Sequence, residues 1–377
     1  MEGTKMVEVK DRLVSLDVFR GFTIAGMIMV NILGLYPDTP SLLQHASWIG
    51  LNLADLVFPF FLFIVGVSMN FSFASRSKQP SWKKWGKFLF RVAALYLIGV
   101  ALVFGLFFYG VPDFSTIRIP GILQLIALSS LFAAPLARLR TRWIILAASV
   151  ILFVQAAILL WVSAPGVPAG SLEMSNNIAG WIDSQVFTPA HLLDKEHVFD
   201  PEGMMAVING TAMVLIGLAC GRTLRLHRNW KGVQYLIIGG LIALTIGLII
   251  SPVMPIIKQL WTSSFILVNA GLAAIILALL YGLMDILKRG KILNVGIPFG
   301  RNALLIYILS DILGVLIFVA PNTLPGGAII DIDNTVMPIL FQYLGPMWGT
   351  VAFGLIIVAF WWVVALILHW RKIYIKL

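Results

Sequence analysis

Residues His45–Gly66 read HASWIGLNLADLVFPFFLFIVG, and the eleven positions after Asp55 hold no polar side chain. At 1.5 Å per residue, about 20 apolar residues in a helix match the roughly 30 Å hydrocarbon core of a bilayer. Backbone groups in lipid must be satisfied within their own segment, so the stretch is read as the start of a spanning helix and not a strand. The groups at its head are the unusual part, because Asn52 and Asp55 lie one to two turns below His45 at positions where hydrocarbon would suffice.

The same apolar pattern recurs along the chain. Of 377 residues 59% are hydrophobic and 12% charged, and the mean hydropathy is +0.94. That composition excludes an ordinary soluble domain and predicts an all-α, polytopic transmembrane bundle. Ten spans are expected, at 13–35, 51–74, 86–108, 119–137, 143–163, 202–221, 232–251, 261–284, 299–320 and 346–369. Residues 333–345 have the length of a half-span, which would make eleven, and 292–298 extend the ninth. No internal repeat or soluble domain is visible, so residues 1–377 are expected to form one transmembrane domain.

Lysines and arginines fall on alternate connections. The N-terminal segment, the even connections (Arg76–Lys87, Arg138–Arg142, Arg222–Lys231, Lys288–Lys291) and the tail are basic, whereas the odd ones hold only Arg118, Lys195 and Lys258. The positive-inside rule then places both termini in the cytoplasm and His45 on the outer side. It also accounts for the net charge of +10 without a nucleic-acid partner, since the excess forms no single stripe. The first apolar stretch is span-length and contains Asp17, Arg20 and Asn31, which argues against a cleaved signal. Cys220 is the single cysteine, and the five histidines do not cluster with carboxylates, so no metal site is expected.

A charge at the centre of a spanning helix costs roughly 2.5 to 3.5 kcal/mol on insertion scales, so each polar intramembrane residue is a functional candidate. Asp17 and Arg20 are three apart and can pair on one face. Asn31 closes the first span and His45 opens the second, which brings both to one surface. Asn52 and Asp55 continue a polar column below the histidine, while Arg301 and Asn302 begin the ninth span unexpectedly deep. Each has an ordinary alternative: Asn31 as a helix cap, Asp17 with Arg20 as a packing pair, Arg301 snorkelling to headgroups, Trp48 as an interfacial anchor, and Asp200 as a helix-dipole partner. Two long connections, 164–201 and 321–345, lie on the side assigned to His45, where loops often cover a site.

The ordered motifs SLDVFRGFTIAGMIMVN, HASWIGLNLADLVFPFFLFIVGVS, RIPGILQLIAL, FDPEG, LWTSSF and GRNALLIY resemble the heparan-α-glucosaminide N-acetyltransferase family and its bacterial relatives, from Ser15 to about Asp311. The resemblance implies an integral protein of the bacterial inner (plasma) membrane that transfers an acyl group from cytoplasmic acetyl-CoA to the amine of a glucosamine-type sugar or glycan outside. It implies that His45 is catalytic and that Asn31 works with it. Leu125 stands where many relatives have a basic residue, so no role tied to that charge carries over.

On that chemistry His45 either takes a proton from the attacking amine or accepts the acyl group itself. Asn31 donates to the oxyanion or orients the ring, and Asp55 holds the imidazole or shapes the water nearby. Arg20, Arg301 and Asn302 are the candidates for the coenzyme phosphates, arginine offering a fixed fork that stays charged in a partly dry site. Acetyl-CoA is a co-substrate, membrane lipids are the solvent, and Gly239 with Gly240 permits close contact of helices, including those of a homo-oligomer. The rival reading is a polytopic transporter of a sugar or other polar solute, for which the intramembrane polar groups and the break around Pro252 and Pro255 would serve as a pathway.

Overall fold

The computed structural model describes residues 13–74, 81–104, 115, 117–194, 196, 199–314 and 332–374. Among these residues the chain is helical, with only isolated β-bridges in its loops. Eight helices are long and apolar enough to cross a membrane: α1 (Val14–Leu33), α2 (Val57–Ala74, led by a 3-10 turn at Leu53–Asp55), α3 (Ser81–Phe104), α5 (Thr141–Trp161), α7 (Met204–Leu226), α8 (Trp230–Ile250), α9 (Ser263–Leu280) and α13 (Met337–Trp370). A ninth candidate is the pair α10 (Ile297–Arg301) and α11 (Ala303–Gly314), bent by 69°.

Three of the expected spans take a different form. Residues 119–137 yield only the twelve-residue α4 (Ile122–Ala133), about 18 Å long, closed by a 3-10 turn at Pro135–Arg138. The ninth breaks at Asn302, whose backbone is not helical, and residues 315–320 lie outside the described residues. In α13 Gly345 takes φ 75° just before Pro346, so residues 337–344 form an arm joined to the last span across a kink, not a separate segment.

Apolar content does not sort inner from outer helices here, because every span is hydrophobic. Small and polar side chains do. α1, α2, α7 and α9 are mostly buried, while α3, α5, α8 and α13 give most of their surface to the outside. The buried helices carry Gly210, Thr211, Gly217 and Asn209 on α7 and Ser264, Asn269 and Gly271 on α9. Such residues let backbones approach and form hydrogen bonds between helices where lipid gives no hydrophobic drive. Asn209 Nδ2, for example, donates to the carbonyl of Trp261 at 2.6 Å.

The two ends of α1 mark the two ends of the bundle. At its start Asp285, from the π-helical turn Tyr281–Ile286 that ends α9, accepts from the N–H groups of Val14 and Ser15 at 3.0 Å each. A carboxylate there satisfies otherwise orphaned donors and the positive helix end. α10 crosses this first half of α1 so closely that a Cβ on Gly300 would fall 1.7 Å from the Asp17 carbonyl oxygen. Only glycine fits, and the crossing delivers Arg301 beside Asp17.

Candidate functional site

The loop that precedes α2 folds around one carboxylate. Asp55 is fully buried; its Oδ2 accepts from the backbone N–H of Ala46 at 3.1 Å and of Asn52 at 2.9 Å, and its Oδ1 lies 2.7 Å from His45 Nδ1. Asn52 turns away and donates to the carbonyls of Ser41 and Gln44. The expected column of polar groups down α2 is therefore a knot at its head, with Asp55 at the centre and Asn52 closing the loop outside. A carboxylate on Nδ1–H fixes the imidazole tautomer and leaves Nε2 as the reactive nitrogen.

Lys258 completes the knot. Its Nζ is 3.0 Å from both ring nitrogens of His45 and 3.8 Å from Asp55 Oδ1. Equidistant from the two nitrogens, the ammonium lies against the imidazole and not on the in-plane lone pair of Nε2. The approach is built by the segment around Pro252 and Pro255, which is zipped to the HASW loop: Gly50 N–H donates to Ile256 O at 2.9 Å, and Gln259 Nε2 reaches the carbonyl of Ala46 at 3.3 Å. Burial pushes the Lys258 ammonium pKa down, while Asp55 and Glu202 pull it back up. The turn continues into Trp261, held at φ 49° with its indole N–H on the Pro201 carbonyl at 2.8 Å.

Behind Lys258 the FDPEG motif is locked to the RIPG segment. Arg118 binds both oxygens of buried Asp200, at 2.6 and 2.8 Å, and also contacts Glu202. Asp200 further accepts from the N–H groups of Leu193 and Glu202, so it is a loop clamp and not a helix-dipole partner. That place belongs to Asp183 of α6 (Ile178–Phe187), which accepts from Met204 N–H at 2.7 Å at the start of α7. Trp48 likewise points inward, donating to Leu172 O at 2.8 Å and meeting Phe199 edge-on at 5.5 Å.

Asn31 reaches the same end of the bundle, but its amide points to Asp311 of α11 at 3.5 Å, and Asp311 is hydrogen-bonded to Tyr307. His45 and Val30, the neighbour of Asn31, line one cavity of about 410 Å³. Of the two expected partners, His45 lines this cavity and Asn31 directs its amide to Asp311.

At the opposite end, Arg20 donates to Gly300 O at 3.2 Å and Ser68 Oγ at 2.5 Å, and lies 3.6 Å from Asp17. Arg301 lies 4.0 Å from the same carboxylate and donates to the Tyr374 hydroxyl at 3.1 Å. Two guanidiniums share one carboxylate. Asn302 is buried and gives its amide to Ile373 O at 3.0 Å, holding the tail against Arg301. Thirteen residues of α2 separate Ser68 from Asp55, about 20 Å along the axis.

A family model described as "Heparan-alpha-glucosaminide N-acetyltransferase, catalytic" matches residues 12–250. The chain belongs to this family. Heparan-alpha-glucosaminide N-acetyltransferase of Homo sapiens is 29% identical over 79% of this chain and 52% of its own length, and that of Mus musculus is 27% identical over 80% and 54%. The chain spans about half the length of these curated relatives. The family match contains Arg20, Asn31, His45, Asp55 and Glu202 and ends before Lys258, Arg301 and Asp311. Lys258 was the residue hardest to single out in the sequence; its one signal was a lysine among outer connections almost empty of cations.

Proposed function

We propose that this integral membrane protein is an N-acetyltransferase that takes acetyl from acetyl-CoA at the Asp17 end of the bundle, on the cytoplasmic side, and delivers it to an amino sugar at the His45 end, on the outer side. The observation that carries the reading is the buried Asp55 carboxylate bonded to His45 Nδ1 within a chain of this family. Arg20 and Arg301, two cations around one carboxylate, retain net positive charge for the coenzyme phosphates. The pantetheine arm extends through the bundle and presents the thioester beside His45.

The amine nitrogen then attacks the thioester carbonyl, its proton passes to His45 Nε2, and the C–S bond breaks as the C–N bond is completed. The proton on Nε2 goes to the leaving thiolate, which regenerates the neutral imidazole. Asp55 holds the ring and balances the imidazolium that forms transiently. As substrate enters, the Lys258 ammonium beside the imidazole donates to the developing oxyanion, a contribution typically worth about 2.7 to 4 kcal/mol. Asn31, paired with Asp311 at the same end of the bundle, orients the entering substrate.

Purified protein given acetyl-CoA and glucosamine should form N-acetylglucosamine and free CoA in equal amounts, and His45→Ala should not. Equal turnover by the two proteins would remove His45 from the reaction. A second reading, solute transport, draws on the 69° break between α10 and α11, since broken helices line transport pathways. It requires intact sugar to cross vesicles without gaining acetyl.

A further inference from the structure

The cavity beside His45 has a lining of unusual charge. Val30, Tyr36, Pro37, Leu43 and Gln44 contribute to it, and among the described residues its lining holds no lysine, arginine, aspartate or glutamate. Gln44 commits its Nε2 to the carbonyls of Pro37 (3.1 Å) and Thr39 (2.9 Å), so the amide presents its oxygen as an acceptor for hydroxyl or ammonium groups. Tyr36, whose ring meets Phe353 edge-on at 6.1 Å, gives an apolar wall against which the C–H face of a pyranose can pack. A volume of about 410 Å³ lies within the range of small-molecule sites.

Among the described residues, the two cations at this end are already balanced. Lys258 sits between Asp55 and Glu202, and Arg118 is bound by Asp200 and Glu202. Among the described side chains, nine carboxylates but only two cations, Arg118 and Lys258, fall by position in the chain on the side expected for His45. One of those carboxylates, Asp38, is exposed and follows Pro37, which lines the cavity.

We infer that this cavity is the acceptor subsite and that it selects an unsulfated, neutral or cationic hexosamine against a sulfated one. The inference rests on the acetyltransferase reading above. A sulfate entering a lining without counter-charge loses hydration with nothing to replace it. It also meets a repulsive field on approach, whereas the ammonium form of an amino sugar is drawn in. The first effect is insensitive to salt and the second is screened.

The test compares kcat/KM for glucosamine and glucosamine 6-sulfate with acetyl-CoA, using the purified full chain. The unsulfated sugar should be preferred at least ~10-fold in about 0.01 M salt, where the Debye length is about 30 Å, and less strongly in about 1 M salt, where it is about 3 Å. Asp38→Lys should narrow the low-salt preference. Acetyl transfer to both sugars with a ratio below about threefold, or in favour of the sulfated sugar, overturns the inference and leaves the acetyltransferase reading standing. No transfer to either sugar, with acetyl-CoA bound, removes that reading and this inference together.

Discussion

At the scale of single residues, Asp55 and Lys258 act on the imidazole in different ways, and substitution separates them. Asp55→Asn keeps an acceptor for the two backbone N–H groups but no longer favours the Nδ1–H tautomer; kcat should fall by about 10² to 10⁴, as when a triad carboxylate is neutralised, with KM for acetyl-CoA little changed. Lys258→Met removes an oxyanion donor and should lower kcat by about 10² to 10³. Steady-state kinetics of the two variants decide this, and a Lys258→Met enzyme as fast as wild type would show that the ammonium plays no part. The candidacy of His45 came through the resemblance of the HASW motif, and that of Asp55 was visible in the sequence because it carries a charge at the head of an apolar run. Lys258 was not, since its contact with His45 joins residues 213 apart through a loop zipper that no periodicity encodes. Asn31 was legible as a residue of the same end, but its orientation toward Asp311 depends on where the bent α10 and α11 pair sits.

At the scale of elements, close helix crossings are set by glycines whose surroundings differ sharply. A Cβ on Gly217 of α7 would come 2.1 Å from the Phe63 carbonyl oxygen of α2, whereas one on Gly239 of α8 would meet nothing within 4 Å. Gly217→Ala should therefore destabilise the protein by several kcal/mol or prevent folding. Gly239→Ala should be neutral or stabilising by up to about 1 kcal/mol through helix propensity. Thermal unfolding in detergent compares them directly, and a stable Gly217→Ala protein would refute the crossing. Gly240 behaves differently from its neighbour, packing against Ile275 and Gly271 of α9, so the pair read together in the sequence divides between an interface and an open face. The apolar periods revealed the long helices well. They failed at α4 and α10, where Gly121, Pro135 and Asn302 end helices inside apolar runs.

The junction of α6 and α7 adds a pH dependence. Burial pushes the Asp183 carboxyl up to about 7; the Met204 N–H opposes the rise, and Asp200 adds to it through its charge while opposing it through its backbone N–H. The folded state thus prefers the protonated acid. Its stabilising effect is complete below the unfolded value near 3.9 and is lost as pH rises toward 7, a change of about 4 kcal/mol that levels off above it. Asp183→Asn retains an acceptor for Met204 and does not titrate. Its unfolding midpoint should match wild type near pH 4 and exceed it at pH 8; parallel profiles would contradict the assignment.

At the scale of the molecule, an apolar bundle joins two polar ends, with about 20 Å of α2 between them. The Asp17 end is expected to govern donor binding: Arg301→Ala should raise KM for acetyl-CoA about tenfold and leave kcat within a factor of about three, because a phosphate contact remote from the reacting carbonyl contributes uniform binding. Unchanged KM would take Arg301 out of the donor site. The alternation of basic connections gives the expected sidedness from the sequence alone. The central claim is that donor and acceptor meet inside the bundle while staying on opposite sides of the membrane. Vesicles with the protein inserted in one known orientation, acetyl-CoA confined to the Asp17 side and glucosamine to the His45 side, measure it directly. The account predicts that N-acetylglucosamine accumulates on the glucosamine side with wild type and not with His45→Ala. Transfer that occurs only when both substrates share one compartment would contradict it.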